Sequence, residues 1–153
     1  MQVVFWRIWW WGPLNREQAL AYLEEAELTL DSAQAIFAEA ERTGKKLWSK
    51  VVKETYDAME NCAAAGLALK GAEIPRRHPA KVARFISVTD LRGETAGILK
   101  KWLTKRARAQ YVDFNSTGKL RVPHREFDES DAREALEDCR RVIEFTRGLI
   151  EGR

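Results

Sequence analysis

This sequence predicts an all-α fold, an up-and-down antiparallel bundle of four to five helices, on three observations. Apolar residues recur at helical steps of three and four in four long segments. The connections between those segments are short, as a bundle requires. No segment shows the strict alternation of a half-buried strand.

The first helix runs from Asn15 to Arg42, with Leu23, Ala26, Leu30, Ala33, Phe37 and Ala40 on one seam. Asn15 is the expected N-cap, Gln18 completes a box-like pattern, and Thr43-Gly44 supplies the stop. The second helix spans about Leu47 to Lys70. Its stripe is Trp48, Val52, Thr55, Met59, Cys62, Gly66 and Leu69. Small residues from Ala63 to Gly66 let a neighbouring helix approach closely, and Gly71 ends the run.

A short helix follows from His78 to about Ile86, with Val82, Phe85 and Ile86 inward. After a polar stretch, a fourth helix of about Glu94 to Val112 carries Leu99, Trp102, Arg106 and Ala109 on its seam. A loop containing Pro123 and His124 lasts from Asn115 to Phe127. The last helix starts near Asp128 or Ser130 and turns Ala132, Leu136, Cys139, Ile143 and Ile150 inward.

Composition bounds the function without naming it. The chain has 153 residues, 45% of them apolar and 32% charged, with a net charge of +3. That describes one domain with its own core, neither disordered nor collagen-like. No apolar run reaches the ~18–20 residues a membrane span needs, so the expectation is a soluble, cytoplasmic protein. Cys62 and Cys139 are too few and too far apart for a disulfide framework or a CxxC site, and both fall on apolar stripes. No phosphate loop, HExxH, EF-hand loop or nucleophile elbow is present. The two histidines, His78 and His124, stand in different segments without metal-ligand spacing, so no metal and no cofactor are expected.

The N-terminus reads as foreign to the bundle. Four of the six tryptophans (Trp6, Trp9, Trp10 and Trp11) fall in residues 1–13. The segment has no small-residue cleavage site and too short an apolar run for a signal peptide. Three readings stay open: a membrane-interface anchor, since tryptophan favours that zone, a docking segment folded back onto the bundle or dimer, or a native start near Leu14 that leaves residues 14–153 as the domain.

The stretch from Lys100 to Tyr111 is the most informative, with five cations and no acid. Lys101, Lys105 and Arg108 share an outward face, whereas Arg106 lies on the apolar seam. A seam arginine needs a partner. An internal salt bridge to Asp113, Asp57 or Glu60 is one solution. An anion bound at the mouth of the bundle is the other. The outward cations read as phosphate contacts or as a solvated helix face. Asp57 and Glu60 form an acidic pair that suits either acid–base work or pairing with basic neighbours.

Tyr56 to Leu69, followed by Gly71, Ile74-Pro75 and His78, resembles the central segment of HEPN domains. Arg106-Ala107-Arg108-Ala109-Gln110-Tyr111 resembles the R-x-x-A-D-Y signature of small prokaryotic members, with Gln110 in place of Asp. The resemblance extends from about Asn15 to Gly148 and implies an antiparallel helical bundle that pairs as a homodimer. It also implies a minimal nucleotidyltransferase partner in a toxin–antitoxin-like module. Catalytic members are metal-independent ribonucleases with an arginine followed four to six residues later by a histidine. Arg106 matches that arginine, but Tyr111 stands five residues on, and positions 110 to 113 hold no histidine.

The expectation is therefore a non-catalytic module that binds nucleotide or RNA. Its candidate phosphate-binding residues are Arg106, Arg108, Lys105, Tyr111 and Asp113, with His78, Glu60 and Asp57 as secondary candidates. Tyr111 also offers a hydroxyl that a partner enzyme could modify. The alternatives are a metal-independent ribonuclease drawing on His78 or His124 from elsewhere in the dimer, and a purely structural helical adaptor.

Overall fold

The computed structural model describes residues 3–89 and 91–153, and side chains from residue 14 onward. The elements, in order, are α1 (Val3–Thr43), α2 (Trp48–Leu69), α3 (His78–Val88), α4 (Glu94–Gln110), β1 (Asp113–Phe114), β2 (Leu120–Arg121), α5 (Pro123–Glu126) and α6 (Glu129–Glu151). The result is an all-α bundle with one minimal antiparallel hairpin. The expectations for Trp6 and for Trp9 to Trp11 concern side chains outside the described residues.

Helix α2 is the axis of the domain, and α1, α3, α4 and α6 all pack on it. Its composition explains this position: Ala58, Met59, Cys62, Ala63, Ala65 and Leu67 are all fully buried. From Cys62 to Ala68 every residue is small or apolar and buried, and a stretch apolar on every side must be enclosed on every side. The seams predicted for α1 and α6 face it, from Leu23 to Ala40 and from Ala132 to Ile150. The small-residue stretch does admit a neighbour. The Phe85 ring of α3 lies where a side chain at Gly66 would be, 2.1 Å from an ideal Cβ position there.

The termini show how the local sequence works. Gly44 adopts φ 73° and donates to the Ala40 carbonyl, which stops α1. Asp128 and Asp131 form a reciprocal capping box that starts α6. Asn15 does not cap α1, because the helix runs through it, and its amide sits against Gly71 instead.

Two further expectations are corrected. Helix α4 ends at Gln110 rather than near Val112, since Tyr111 is already extended (φ −118°, ψ 139°). The expected loop contains structure, in that Asp113 pairs with Arg121 and Phe114 with Leu120 before the single turn of α5. The Asn115 side-chain oxygen accepts from the Thr117 and Lys119 amides, closing the hairpin tip. Strands of two residues are too short to show an alternating pattern in the sequence.

Polar ties fix α4 and α6. Trp102 Nε1 donates to Asp138 Oδ2 at 2.8 Å, and Lys101 Nζ lies 2.7 Å from the same oxygen. Arg141 pairs with Glu94 at 2.6 Å, and Arg147 joins α6 to Glu27 of α1.

Candidate functional site

Three helices bring six polar side chains together on one flank of the bundle. Tyr56 and Glu60 lie one turn apart on α2, and His78 and Lys81 occupy the first turns of α3. Arg106 and Gln110 lie one turn apart at the end of α4. The α3 pair is set by a short approach: Arg77 is extended and Pro79 occupies the first turn, so His78 opens the helix directly over α2.

Both oxygens of the buried Glu60 carboxylate are used. Lys81 Nζ lies 2.6 Å from Oε1, and His78 Nδ1 lies 2.5 Å from Oε2. Burial by itself would raise the Glu60 pKa, but Lys81 and His78 overcome it and hold the carboxyl below its ordinary value. An ionised carboxylate only accepts, so Nδ1 carries the proton in that bond. Nε2 is then the ring nitrogen that Glu60 does not engage. His78 is 39% exposed at its side chain, so solvent or a ligand can reach it.

The Tyr56 ring stands between the histidine and the arginine. The His78 ring meets it edge-on at 6.3 Å, and Arg106 Cζ lies 5.8 Å from its centroid. Tyr56 is 1% exposed, and its hydroxyl stands near the Glu60 carboxylate without a hydrogen bond of good geometry. Arg106 Nε and Gln110 Oε1 are likewise buried and unpartnered. Burial, reinforced by the nearby Glu60 charge, drives the Tyr56 pKa far above its ordinary value, so the group remains a hydroxyl donor. Two donors without partners, one of them cationic, and an unpartnered acceptor one turn along α4 from the cation match the chemistry of a hydroxyl-bearing phosphoester.

The internal salt bridge considered for Arg106 does not form among the described residues, because each candidate carboxylate is otherwise engaged. Glu60 serves Lys81 and His78, and Asp57 pairs with Lys53 at 2.9 Å. Asp113 is held bidentately by Arg121, with bonds of 2.9 and 2.8 Å. It misses Arg106 because α4 ends at Gln110, which carries Asp113 onto the hairpin. Asp57 and Glu60 are therefore each paired with basic neighbours, one of the two arrangements expected for them.

The outward cations divide. Lys101 is tied to Glu134 and Asp138, and Lys105 lies over the Trp102 ring at 5.0 Å. Arg108 is half-buried, while Tyr111 is 49% exposed at the end of α4. His124 is exposed on α5. Tyr56, Lys81 and Gln110 were not among the candidates from sequence. Their spacing was a usable signal, since Tyr56 is one turn from Glu60 and Lys81 is three residues from His78. The cysteines take no part. Burial pushes the Cys62 thiol up to about 12 and raises Cys139 as well.

The fold defines a class, that of all-α bundles built around one enclosed helix. Within that class the chain belongs to the HEPN domain family, which matches residues 16–149, most of its length. No curated protein matches the chain. Family membership supports a nucleotide- or RNA-related helical module. No helix among the described residues is long and apolar enough to cross a membrane. Those residues also include no group of three or more His, Cys, Asp or Glu placed to hold a metal ion.

Proposed function

We propose that this domain binds a phosphate of a nucleotide or of RNA at Arg106, with Tyr56 and Gln110 completing the contact and His78 at its edge. The observation that carries this reading is the set of orphaned polar atoms on Tyr56, Arg106 and Gln110. Phosphate oxygens accept from both donors, and Gln110 Oε1 accepts from a sugar hydroxyl or a base amine. The module acts as a homodimer beside a minimal nucleotidyltransferase, in a toxin–antitoxin-like arrangement. Tyr111 presents the exposed hydroxyl that such a partner would modify. The test is thermal denaturation with mononucleotides and short RNA. Wild type gains several degrees and Arg106→Ala gains none; equal shifts in both proteins, or no shift in wild type, would sink the binding reading. Co-purification with a nucleotidyltransferase tests the partnership.

The His78–Glu60 contact supports a second reading, a metal-independent ribonuclease. Nε2 would take the proton of a ribose 2′-hydroxyl as O2′ attacks phosphorus, Arg106 would bind the non-bridging oxygens, and the 5′-oxygen would leave with a proton returned to it. RNA incubated with the protein in EDTA decides the matter. Cleavage that disappears in both His78→Ala and Arg106→Ala supports the enzyme, and cleavage unchanged in both identifies a contaminant.

A further inference from the structure

The hairpin beyond α4 holds apolar surface that the core does not use. Phe114 and Leu120 are cross-strand partners, 69% and 48% exposed. Directly paired side chains stand on the same face of a ladder, so the two form one patch. The adjacent pair, Asp113 and Arg121, points to the opposite face and is locked by its bidentate ion pair. With the tip closed by Asn115, the Phe114 ring is held toward solvent on a short, braced support. Helix α4 ends at Gln110 and the hairpin begins at Asp113, so the patch lies within four residues of the site along the chain.

The charge around the patch selects its occupant. From Lys105 to Glu126 the chain has six basic residues and two acids: Asp113, which Arg121 neutralises, and Glu126, whose charge also acts on Arg121. Arg108, Lys119 and Arg125 form no ion pair with the described residues. A second apolar surface docking on Phe114 and Leu120 would strip water from those cations and return nothing to them. A polyanion with flat apolar faces satisfies both features. Only unpaired strands offer such faces, since bases in a duplex are already stacked on their neighbours.

We infer that the hairpin is a docking platform for single-stranded nucleic acid, in which Phe114 stacks on a base, Leu120 braces the ring, and Lys119 and Arg108 hold the flanking phosphates. The inference rests on the proposed phosphate site in one respect, that the same strand continues toward Arg106.

The test is fluorescence anisotropy with a labelled oligouridine of about 12 nucleotides, within the range single-strand sites span, alongside binding of adenosine monophosphate. Wild type should bind the single strand more tightly than an RNA duplex of equal length. Phe114→Ala should weaken the oligonucleotide at least about fivefold, the low end of one lost stacking contact, and leave the mononucleotide unchanged. Phe114→Trp should restore the affinity. Lys119→Gln should reduce the slope of log K against log salt by about 0.7, one phosphate contact on a single strand. Oligonucleotide binding that depends on Phe114 without any mononucleotide binding supports the platform and removes the Arg106 site. Three results overturn the platform: no oligonucleotide binding by wild type, binding indifferent to Phe114→Ala, or a change by light scattering in self-association alone.

Discussion

His78 and Glu60 come from different helices and meet side by side, with Nδ1 of the imidazole 2.5 Å from Oε2 of the carboxylate. The second carboxylate oxygen is held by Lys81, so one buried anion orients two cationic or protonatable groups of α3 against α2. The contact therefore joins the seating of α3 to the orientation of the only histidine in the site.

Glu60→Gln should lower stability by about 2 kcal/mol, because Lys81 is left facing a neutral amide in a largely buried place. The folded-state pKa of Glu60 lies below its ordinary 4.5. Its contribution is then present above about 4.5 and lost as pH falls through the lower folded value. Urea midpoints of the two proteins should differ most near neutrality and converge in acid. A gap that stayed constant down to about pH 2 would contradict the linkage.

Gln110→Glu places a carboxylate one turn from Arg106, four residues along the same helix face. It should leave the fold unchanged or raise its stability by about 0.5 kcal/mol. Nucleotide affinity should fall about tenfold, because the guanidinium acquires an internal counter-ion that competes with phosphate. Calorimetric titration reads this directly, and an unchanged Kd would show that Arg106 does not contact the phosphate.

Gly66→Ala tests the contact between α2 and α3. Alanine gains about 1 kcal/mol of helix propensity, but its Cβ would fall 2.1 Å from Phe85 Cε2. The Phe85 ring is fully buried and has nowhere to turn. Overpacking of this kind costs about 1–3 kcal/mol, so the variant should be less stable overall. A higher urea midpoint than wild type would mean that α3 can lift away freely.

Asp138 separates a hydrogen bond from an ion pair. Asp138→Asn keeps an acceptor for Trp102 Nε1 but gives up the charge facing Lys101. Asp138→Ala loses both and strands a buried indole donor. The alanine variant should lose about 2–3 kcal/mol, and the asparagine variant distinctly less, because Lys101 is about a third exposed and solvent screens it. Equal losses in chemical denaturation would place the whole effect in the charge.

The bundle was readable from local pattern because helical periodicity is a property of neighbouring residues. The seam from Leu23 to Ala40, the stripe from Trp48 to Leu69 and the inward face of α6 all depend on spacing alone, and so does the Gly44 stop. Asn15 misled because a good capping residue is also tolerated inside a long helix. The hairpin was missed because two-residue strands carry no period.

What the sequence determined by itself is the helical class, the inward faces, the family resemblance, and that Arg106 is a cation on an apolar seam. Tertiary structure alone decided which groups stand around that cation. The ending of α4 at Gln110 moved Asp113 to Arg121 and left Arg106 with no internal counter-ion among the described residues. The seating of α3 on α2 gave Glu60 to His78 and Lys81 and set Tyr56 between the histidine and the arginine. Partner choice depends on distances across helices, which a few degrees of packing angle or one residue of helix length can reassign. Periodicity records which way a side chain faces and says nothing of what it meets there.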